Sequence, residues 1–276
     1  MENNNIMTNL VSIDNLLFKY DNKIIFNNLS LELTFNKCYV LSGLNGSGKS
    51  TILKILAGKT LAEINKVKLL NKDPFRDTSL NKDITFINND WGMKSNAFSG
   101  TSPLQSSMKV KDMMQQIKLD FPDRNKELLS VLKINEEWRL NAVSDGQRKR
   151  IQIYLNLIKP FKICLLDEIT VNLDLLVKDR LMQYLKKESI IRQCSIIYVT
   201  HIFDGLNEWC SDLIYLKKNK EISIIPSSEV KDIYTYLLHS FQSEETIEDE
   251  KEDINIEINS KNAGGYSHGV LINYKI

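Results

Sequence analysis

The sequence has few of the features that mark secreted, membrane-spanning or nucleic-acid-coating proteins. Its 276 residues include only four cysteines, which show no metal-type spacing, and the formal net charge is +1. Such cysteines predict small buried hydrophobic residues in a reducing compartment rather than disulfides. No apolar run approaches the ~18 residues needed to cross a bilayer, and the start, MENNNIMTNL, lacks the pattern of a secretory signal. Basic residues are spread too thinly to indicate strong nucleic-acid binding. We therefore expect a soluble, cytoplasmic protein.

The segments that are present alternate between strand-like and helix-like patterns. Branched and aromatic residues predict early strands in LVSIDNLLFKY, KIIFNNLSLEL and KCYVLSG. Residues 91–107 predict a loop, residues 110–159 are mostly helical, and residues 212–241 predict a hairpin and a last helix. Two nearly uninterrupted apolar strands, KICLL and SIIYVT, are joined by a helical segment. Strands that are apolar on both faces imply a parallel sheet covered on both sides, so the predicted fold class is α/β.

The composition changes near the end of the chain. Between residues 243 and 260 there are eight acidic residues and one lysine. A segment this polar buries too little apolar surface to fold alone. We therefore predict one domain over residues 1–240, with a helical subdomain at about 95–160, and an acidic, disordered tail over residues 241–276.

A phosphate-binding loop, or P-loop, is predicted where the strand KCYVLSG gives way to a helix. The stretch GLNGSGKST, Gly43 to Thr51, matches the pattern G-x-x-x-x-G-K-[ST] in the required context. Its glycines let backbone N–H groups turn toward phosphate oxygens, while Lys49 reaches the β- and γ-phosphates and Ser50 ligates Mg²⁺. The pattern predicts a nucleoside triphosphate without deciding between ATP and GTP. The predicted binding residues are Gly43, Asn45, Gly46, Ser47, Gly48, Lys49, Ser50 and Thr51.

Polar residues end the two apolar strands that follow. In ICLLDE, Asp167 fits a carboxylate on the Mg²⁺ side, and Glu168 fits the group that orients and deprotonates the attacking water. His201 ends SIIYVTH, where a neutral imidazole can hydrogen-bond the γ-phosphate or that water. Alone, such residues are usually surface residues. Behind a P-loop, the catalytic interpretation is favoured.

In this combination and order, the motifs resemble those of ATP-binding-cassette (ABC) ATPases, from about Val11 to Pro226. The resemblance implies a RecA-like, mostly parallel sheet, an antiparallel β subdomain and a helical subdomain. The stretch VSDGQRKR, residues 143–150, falls where the family has its Leu-Ser-Gly-Gly-Gln signature.

The resemblance also assigns roles to further residues. It implies an ATP-dependent, head-to-tail homodimer in which Ser144, Gly146 and Gln147 meet a γ-phosphate held by the other subunit. Tyr20 takes the place of the aromatic residue that stacks on adenine, and Asp174, in VNLD, that of an aspartate reaching across the dimer. The bases Arg148, Lys149 and Arg150 are expected near this ligand or the partner's acids.

Longer stretches of sequence narrow the resemblance to one subgroup of the family. VSDGQRKRIQI, PFKICLLDEITVNLDLL and IIYVTHIFDGLNEW are similar to soluble ABC ATPases associated with the CCR–NOT regulatory complex and to non-membrane subfamily I. This implies hydrolysis of ATP to ADP and phosphate that drives conformational change in a regulatory assembly. The implied partners are the CCR–NOT complex or transcription factors, in the cytoplasm and the nucleus.

Two departures from the family pattern matter. The Q-loop glutamine is missing, so Asn89 or Asp90, in NNDW, must take over any Mg²⁺ or water contact, and the sequence does not choose between them. Asp145 would repel a phosphate at the start of its helix, so we predict that it caps that helix or pairs with a base.

Two alternative functions stay open. The chain can be the ATPase subunit of a separate membrane transporter protein, or a binding module whose hydrolysis is vestigial. Intact Lys49, Asp167, Glu168 and His201 argue against the second alternative.

Overall fold

The computed structural model describes residues 9–89 and 107–246 of the chain. Nine strands lie in these residues: β1 Val11–Tyr20, β2 Lys23–Leu33, β3 Cys38–Ser42, β4 Val67–Leu69, β5 Ile84–Ile87, β6 Ile163–Asp167, β7 Ser195–Val199, β8 Asp212–Leu216 and β9 Ile222–Pro226. Five helices have defined bounds: α1 Lys49–Leu56, α2 Gln115–Asp120, α3 Pro122–Val131, α4 Asp145–Leu157 and α5 Leu175–Ile191. A sixth helix, α6, covers residues 233–246, which crosses residue 240, the predicted end of the domain.

The strands form two sheets. The larger sheet has the order β5-β6-β7-β3-β8-β9, in which β9 alone is antiparallel, and the smaller is the antiparallel sheet β2-β1-β4. The β8–β9 hairpin and the mostly parallel sheet agree with the sequence prediction, and the α/β fold class with its antiparallel and helical parts is confirmed.

Both faces of the larger sheet are covered. In β3, Cys38 and Val40 belong to one apolar cluster, whereas Tyr39 and Leu41 belong to the other. The first cluster includes residues of α3, α4 and α5, and the second includes residues of α1 and the antiparallel sheet. Alternation of side chains along a strand explains this division, because successive residues point to opposite faces.

The helical part begins less regularly than the pattern predicted. Instead of one helix over residues 110–117, a 3₁₀ turn covers Val110–Asp112, and α2 begins only after Met114, whose φ of 51° interrupts the helix. The last helix also differs. A 3₁₀ turn covers Ser227–Glu229, and α6 starts after Asp232, whose carboxylate accepts the Thr235 N–H at 2.8 Å. A left-handed residue before α2 and a side-chain cap before α6 therefore mark these boundaries, rather than the apolar pattern.

All four cysteines are buried and free, as predicted. In the described ranges, no helix has the length and apolar character of a membrane span. Of the loop predicted for residues 91–107, only residue 107 lies inside the described residues.

Candidate functional site

Three neighbouring strands carry the predicted catalytic residues to one edge of the larger sheet. Lys49 follows β3, Asp167 ends β6 and His201 follows β7, and these strands are adjacent in the order β6-β7-β3. Because parallel strands share a carboxyl edge, side chains more than 100 residues apart in sequence converge there. Asp167 pairs in register with Val199, just before the segment that carries His201.

The P-loop is wedged between the two sheets, and two of its glycines have no room for a side chain. A Cβ on Gly43 would lie 2.1 Å from the Leu216 carbonyl oxygen of β8. Gly48 has a φ of 112°, and its Cβ would lie 2.6 Å from the Phe26 ring of β2. Backbone and ring therefore fix the path of the loop from opposite sides, which only glycine permits.

Lysines occupy both sides of the P-loop. The Lys49 ammonium is buried and donates to the carbonyl oxygens of Gly43, at 2.7 Å, and Leu44, at 3.0 Å. From the hairpin between β8 and β9, the Lys220 ammonium donates to the carbonyls of Gly46, at 3.1 Å, and Ser47, at 3.0 Å. Two lysine ammoniums therefore hold four carbonyl oxygens of the loop.

The cleft in front of the P-loop has a volume of about 430 Å³, within the usual range for small-molecule sites. Tyr20 is 42% exposed on its wall, and its ring packs edge to face with that of Phe18, the two ring centres 5.0 Å apart. Such a ring suits stacking on a base. The lining residues are Tyr20, Lys23, Ile25, Asn45, Gly46, Gly48, Lys49, Ser50, Thr51, Glu168 and His201.

The predicted water-activating pair is assembled within the chain. The His201 Nε2 lies 2.9 Å from the Glu168 Oε1. Glu168 adopts a φ of 52°, uncommon for a residue with a side chain, and its N–H donates to the Val199 carbonyl at 3.0 Å. Strain of this kind persists where surrounding structure enforces it, and it clusters at functional sites. Backbone and imidazole together aim the Glu168 carboxylate into the cleft.

The charges at this edge offset one another. Burial raises the pKa of the Asp167 carboxyl, although a hydrogen bond from the Ser50 hydroxyl acts in the opposite direction. Burial lowers the pKa of the Lys49 ammonium, whereas Glu168 and Asp167 act to raise it. Among the described residues, neither the Asp167 carboxylate nor the Lys49 ammonium forms a direct ion pair. Both charges are therefore available to a ligand.

The donors fit Mg²⁺ bound together with a polyphosphate. Ser50 and Asp167 offer two adjacent oxygen ligands, and Mg²⁺ usually takes one or two protein ligands plus phosphate oxygens and waters. Within the part of the chain that the structure describes, no cluster of three or more His, Cys, Asp or Glu residues could hold a metal by itself. The Ser47 hydroxyl is fully buried, has no hydrogen-bond partner among the described residues and does not line the cleft. When bound, Mg²⁺ would supply Lewis-acid stabilisation of phosphate charge.

The signature turn, Val143–Gln147, opens helix α4 with a complete capping box. The Ser144 Oγ accepts the Gln147 N–H at 3.3 Å, and the Gln147 Oε1 accepts the Ser144 N–H at 3.0 Å. Asp145 pairs with Arg148 at 2.7 Å, which confirms the prediction that it pairs with a base. Ser144 and Asp145 are exposed, and a Cβ on Gly146 would lie 3.0 Å from the Asn172 carbonyl.

The three bases after this turn contact groups of their own chain, and their expected place near a ligand or a partner's acids stays a prediction. Arg148 binds Asp145, and Arg150 forms an ion pair with Asp174. Asp174 also caps α5 by accepting the Val177 N–H at 3.0 Å; its side chain is half exposed, and its reach across a dimer stays a prediction. The charges that looked awkward at a helix start are balanced because acids from the same turn and from the α5 cap lie beside them.

Lys149 points inward, toward the end of β5. Its ammonium donates to the Asn89 Oδ1 at 2.9 Å and the Asn88 carbonyl at 3.1 Å. An amide oxygen that faces a lysine is a poor ligand for a second cation, so Asn89 is weakened as the substitute Mg²⁺ ligand. Asp90, the other candidate, lies outside the described residues.

Sequence reasoning missed several residues of the site. Lys23 and Ile25 line the cleft, and Lys220 braces the P-loop from a strand pair far along the chain. Nothing in the local pattern marks them, since each acts through a contact formed by the fold. The sole usable signal was that Lys23 and Ile25 follow Tyr20 closely in the same hairpin.

Comparisons with known proteins agree with this geometry. A family model described as ABC transporter matches residues 26–171. Similar relatives include ABC transporter I family member 20 of Arabidopsis thaliana, 41% identical over 76% of this chain and 65% of the relative. They also include CCR4-associated factor 16 of Saccharomyces cerevisiae, 34% identical over 76% of each. The chain thus spans slightly under two thirds of the Arabidopsis relative's length and about three quarters of the yeast one's.

Solved structures show the same fold at low sequence identity. An ATP-binding subunit of an ABC transporter aligns with a TM-score of 0.67, at 14% identity over 80% of this chain and 92% of the other. A nucleotide-free ATP-binding cassette aligns with a TM-score of 0.64, at 15% identity over 82% and 95%. The family match over more than half of the sequence, the relatives and the P-loop site lead to one conclusion: the chain belongs to the ABC family.

Proposed function

We propose that this chain hydrolyses ATP to ADP and phosphate at a site completed by the signature turn of a second copy. The observation that carries the proposal is the Glu168–His201 contact of 2.9 Å on the wall of the P-loop cleft. A protein that only binds ATP does not need the Glu168 carboxylate, on its strained backbone, to be held by His201 beside Lys49. A hydrolase does, because water must be oriented and deprotonated.

The residues divide the work in a simple way. Lys49 and the N–H groups of the P-loop hold the β- and γ-phosphates and balance their charge. Ser50 and Asp167 would hold Mg²⁺. Glu168 accepts a proton from the attacking water while the oxygen of that water forms a bond to the γ-phosphorus. The bond from that phosphorus to the β–γ bridging oxygen breaks, which releases ADP and phosphate. His201 keeps the Glu168 carboxylate oriented.

The second copy is proposed because the signature turn is built and exposed. In the capping box the Ser144 oxygen accepts a hydrogen bond, so its own hydroxyl hydrogen stays available to a phosphate. The turn also presents N–H groups at a helix start, where anions are favoured. A head-to-tail pair of copies would place each signature turn against the other copy's nucleotide.

The test is the variant Glu168→Gln, which keeps the shape of the side chain but removes the base. We expect phosphate release to fall about 10²-fold or more, while ATP affinity is retained. We also expect the variant with MgATP to elute as a dimer, and without it as a monomer. Glu229→Gln, an exposed carboxylate away from the cleft, serves as the control. Unchanged turnover in Glu168→Gln would contradict the proposed hydrolysis.

We further propose that closing and reopening of this dimer acts on a regulatory assembly of the CCR–NOT kind, in the cytoplasm and the nucleus. The support is the 34% identity with a protein named CCR4-associated factor 16. Affinity capture of Glu168→Gln with ATP should recover CCR–NOT subunits and not a membrane protein. Recovery of a membrane-embedded partner alone would favour the transporter alternative.

A further inference from the structure

Lys149 is a buried cation that the proposed chemistry does not use. It lies in the second turn of α4 and is 7% exposed. Its ammonium donates to two neutral groups: the Asn88 carbonyl at 3.1 Å and the Asn89 amide oxygen at 2.9 Å. Over residues 9–89 and 107–246, no carboxylate forms an ion pair with it. A buried lysine without a direct ion pair is costly, so a role for the charge is expected.

The place that Lys149 reaches is the carboxyl edge of the sheet. Ile87 of β5 pairs in register with Leu166 of β6, so Asn88 follows β5 where Asp167 ends β6. Gln152, one turn further along α4, donates to the same Asn88 carbonyl at 2.8 Å. Two buried side chains of α4 therefore bind the backbone just after β5, next to Asp167, the carboxylate assigned to Mg²⁺.

The carboxylate of Asp167 favours the charged form of Lys149. Burial lowers the pKa of the Lys149 ammonium to about 8, and Asp167 acts in the opposite direction. The side chain is therefore mostly protonated at neutral pH. In a partly dry environment, a positive charge acts more strongly than it would in water.

The same helix carries the signature turn at its start. Ser144 caps α4 at one end of this segment, and Lys149 anchors it inward five residues later. Any displacement at the Asp167 edge is thus passed to the exposed turn through a rigid helix rather than a loop.

We infer that Lys149 is a positioning residue that ties the signature helix to the metal side of the chain's own nucleotide site. Lys149 does so with a positive charge, whereas the Q-loop glutamine that this chain lacks is neutral. Occupancy of one site then orients the turn that the other copy needs. This inference rests on the proposed hydrolysis at a shared site and deepens it.

The experiment compares three variants of the full chain. Lys149→Met keeps the volume but removes charge and donor, Lys149→Gln restores a neutral donor, and Lys149→Arg restores both. Lys159→Met, an exposed lysine just beyond the same helix, is the control. Thermal melting of each variant checks that it is folded.

For Lys149→Met we expect kcat to fall about 10- to 100-fold, while the Kd for MgATP stays within about threefold. Arg should recover most of the loss and Gln little of it. Amide hydrogen exchange of residues 145–157 gives a readout separate from turnover: MgATP should slow it in the wild type and not in Lys149→Met.

Three results would overturn the inference: kcat of Lys149→Met within about twofold of the wild type, ATP affinity lost in parallel with kcat, or full rescue by Gln, which would refute the role of the charge. Failure of the proposed function itself is separate, because it would show as wild-type turnover that does not depend on Glu168.

Discussion

Two helices begin at functional turns of this molecule, and they begin in opposite ways. Helix α1 starts after Gly48, which is left-handed and has no side chain to cap the first turn, and no acidic residue lies in that turn. Helix α4 starts after Ser144 with a complete capping box and with Asp145 in its first turn. One start leaves its N–H groups for a ligand, whereas the other satisfies two of them itself.

The difference indicates that the two helix starts have different roles in binding a nucleotide. An uncapped helix start is a ready-made anion site, and at α1 it faces the cleft and the buried Lys49. A capped start is rigid and exposed but lacks the strength to hold a triphosphate alone. In the proposed function, the α1 start binds the nucleotide, and the α4 start of a second copy adds contacts to it.

The largest expected effect comes from removing the charge at the α1 start. Lys49→Met should lower turnover by about 10²-fold or more, because a buried, charge-assisted contact to phosphate is lost. Colorimetric phosphate release and titration with a fluorescent ATP analogue measure it. Lys59→Met, an exposed lysine beyond the end of α1, should behave as the wild type. Comparable turnover in both variants would remove Lys49 from the site.

The next effect should come from closing the uncapped start with a side chain. Gly48→Ala places a Cβ 2.6 Å from the Phe26 ring at a φ of 112°, so we expect a loss of about 1–3 kcal/mol of stability and at least tenfold weaker ATP binding. Gly205→Ala, with a φ of 76° and open space around it, separates backbone strain from the clash. Equal losses in the two proteins would show that the close approach to Phe26 is unimportant.

At the α4 start, the effects should split between stability and assembly. Ser144→Ala removes the cap, which should cost about 1 kcal/mol in chemical denaturation. It should also abolish ATP-driven dimerisation, measured by light scattering in the Glu168→Gln background, and leave ATP binding by the monomer unchanged. Asp232→Ala, which removes a cap of α6, should lose stability only. Intact dimerisation in Ser144→Ala would mean that the turn is merely a helix cap.

The smallest effect is expected at Asp145. Its carboxylate is exposed and paired with Arg148, so Asp145→Asn should change the free energy of unfolding by less than about 0.5 kcal/mol. Removing an anion beside an incoming phosphate should lower the ATP concentration that gives half-maximal dimerisation by about two- to fivefold. A higher requirement for ATP would show that repulsion at this position is absent.

The sequence predicted what is local and missed what depends on distant contacts. The P-loop is nine contiguous residues between a strand and a helix, and strand ends in a parallel sheet converge, so Lys49, Asp167, Glu168 and His201 followed from pattern alone. The directions of the Arg148, Lys149 and Arg150 side chains did not follow from the pattern. Arg150 finds Asp174 across 24 residues, Lys149 finds Asn89 across 60, and Lys220 finds Gly46 across 174. These partners depend on how the helical part packs on the sheet, which no local pattern encodes.

The most direct test of a site shared between two copies is complementation. Lys49→Met spoils the α1 start but keeps a sound signature turn, whereas Ser144→Ala does the reverse. Each alone should be inactive. In a head-to-tail dimer a mixed pair contains one intact site, so equal mixing should restore up to about a quarter of wild-type turnover. A mixture no more active than the sum of its two components would contradict the shared site.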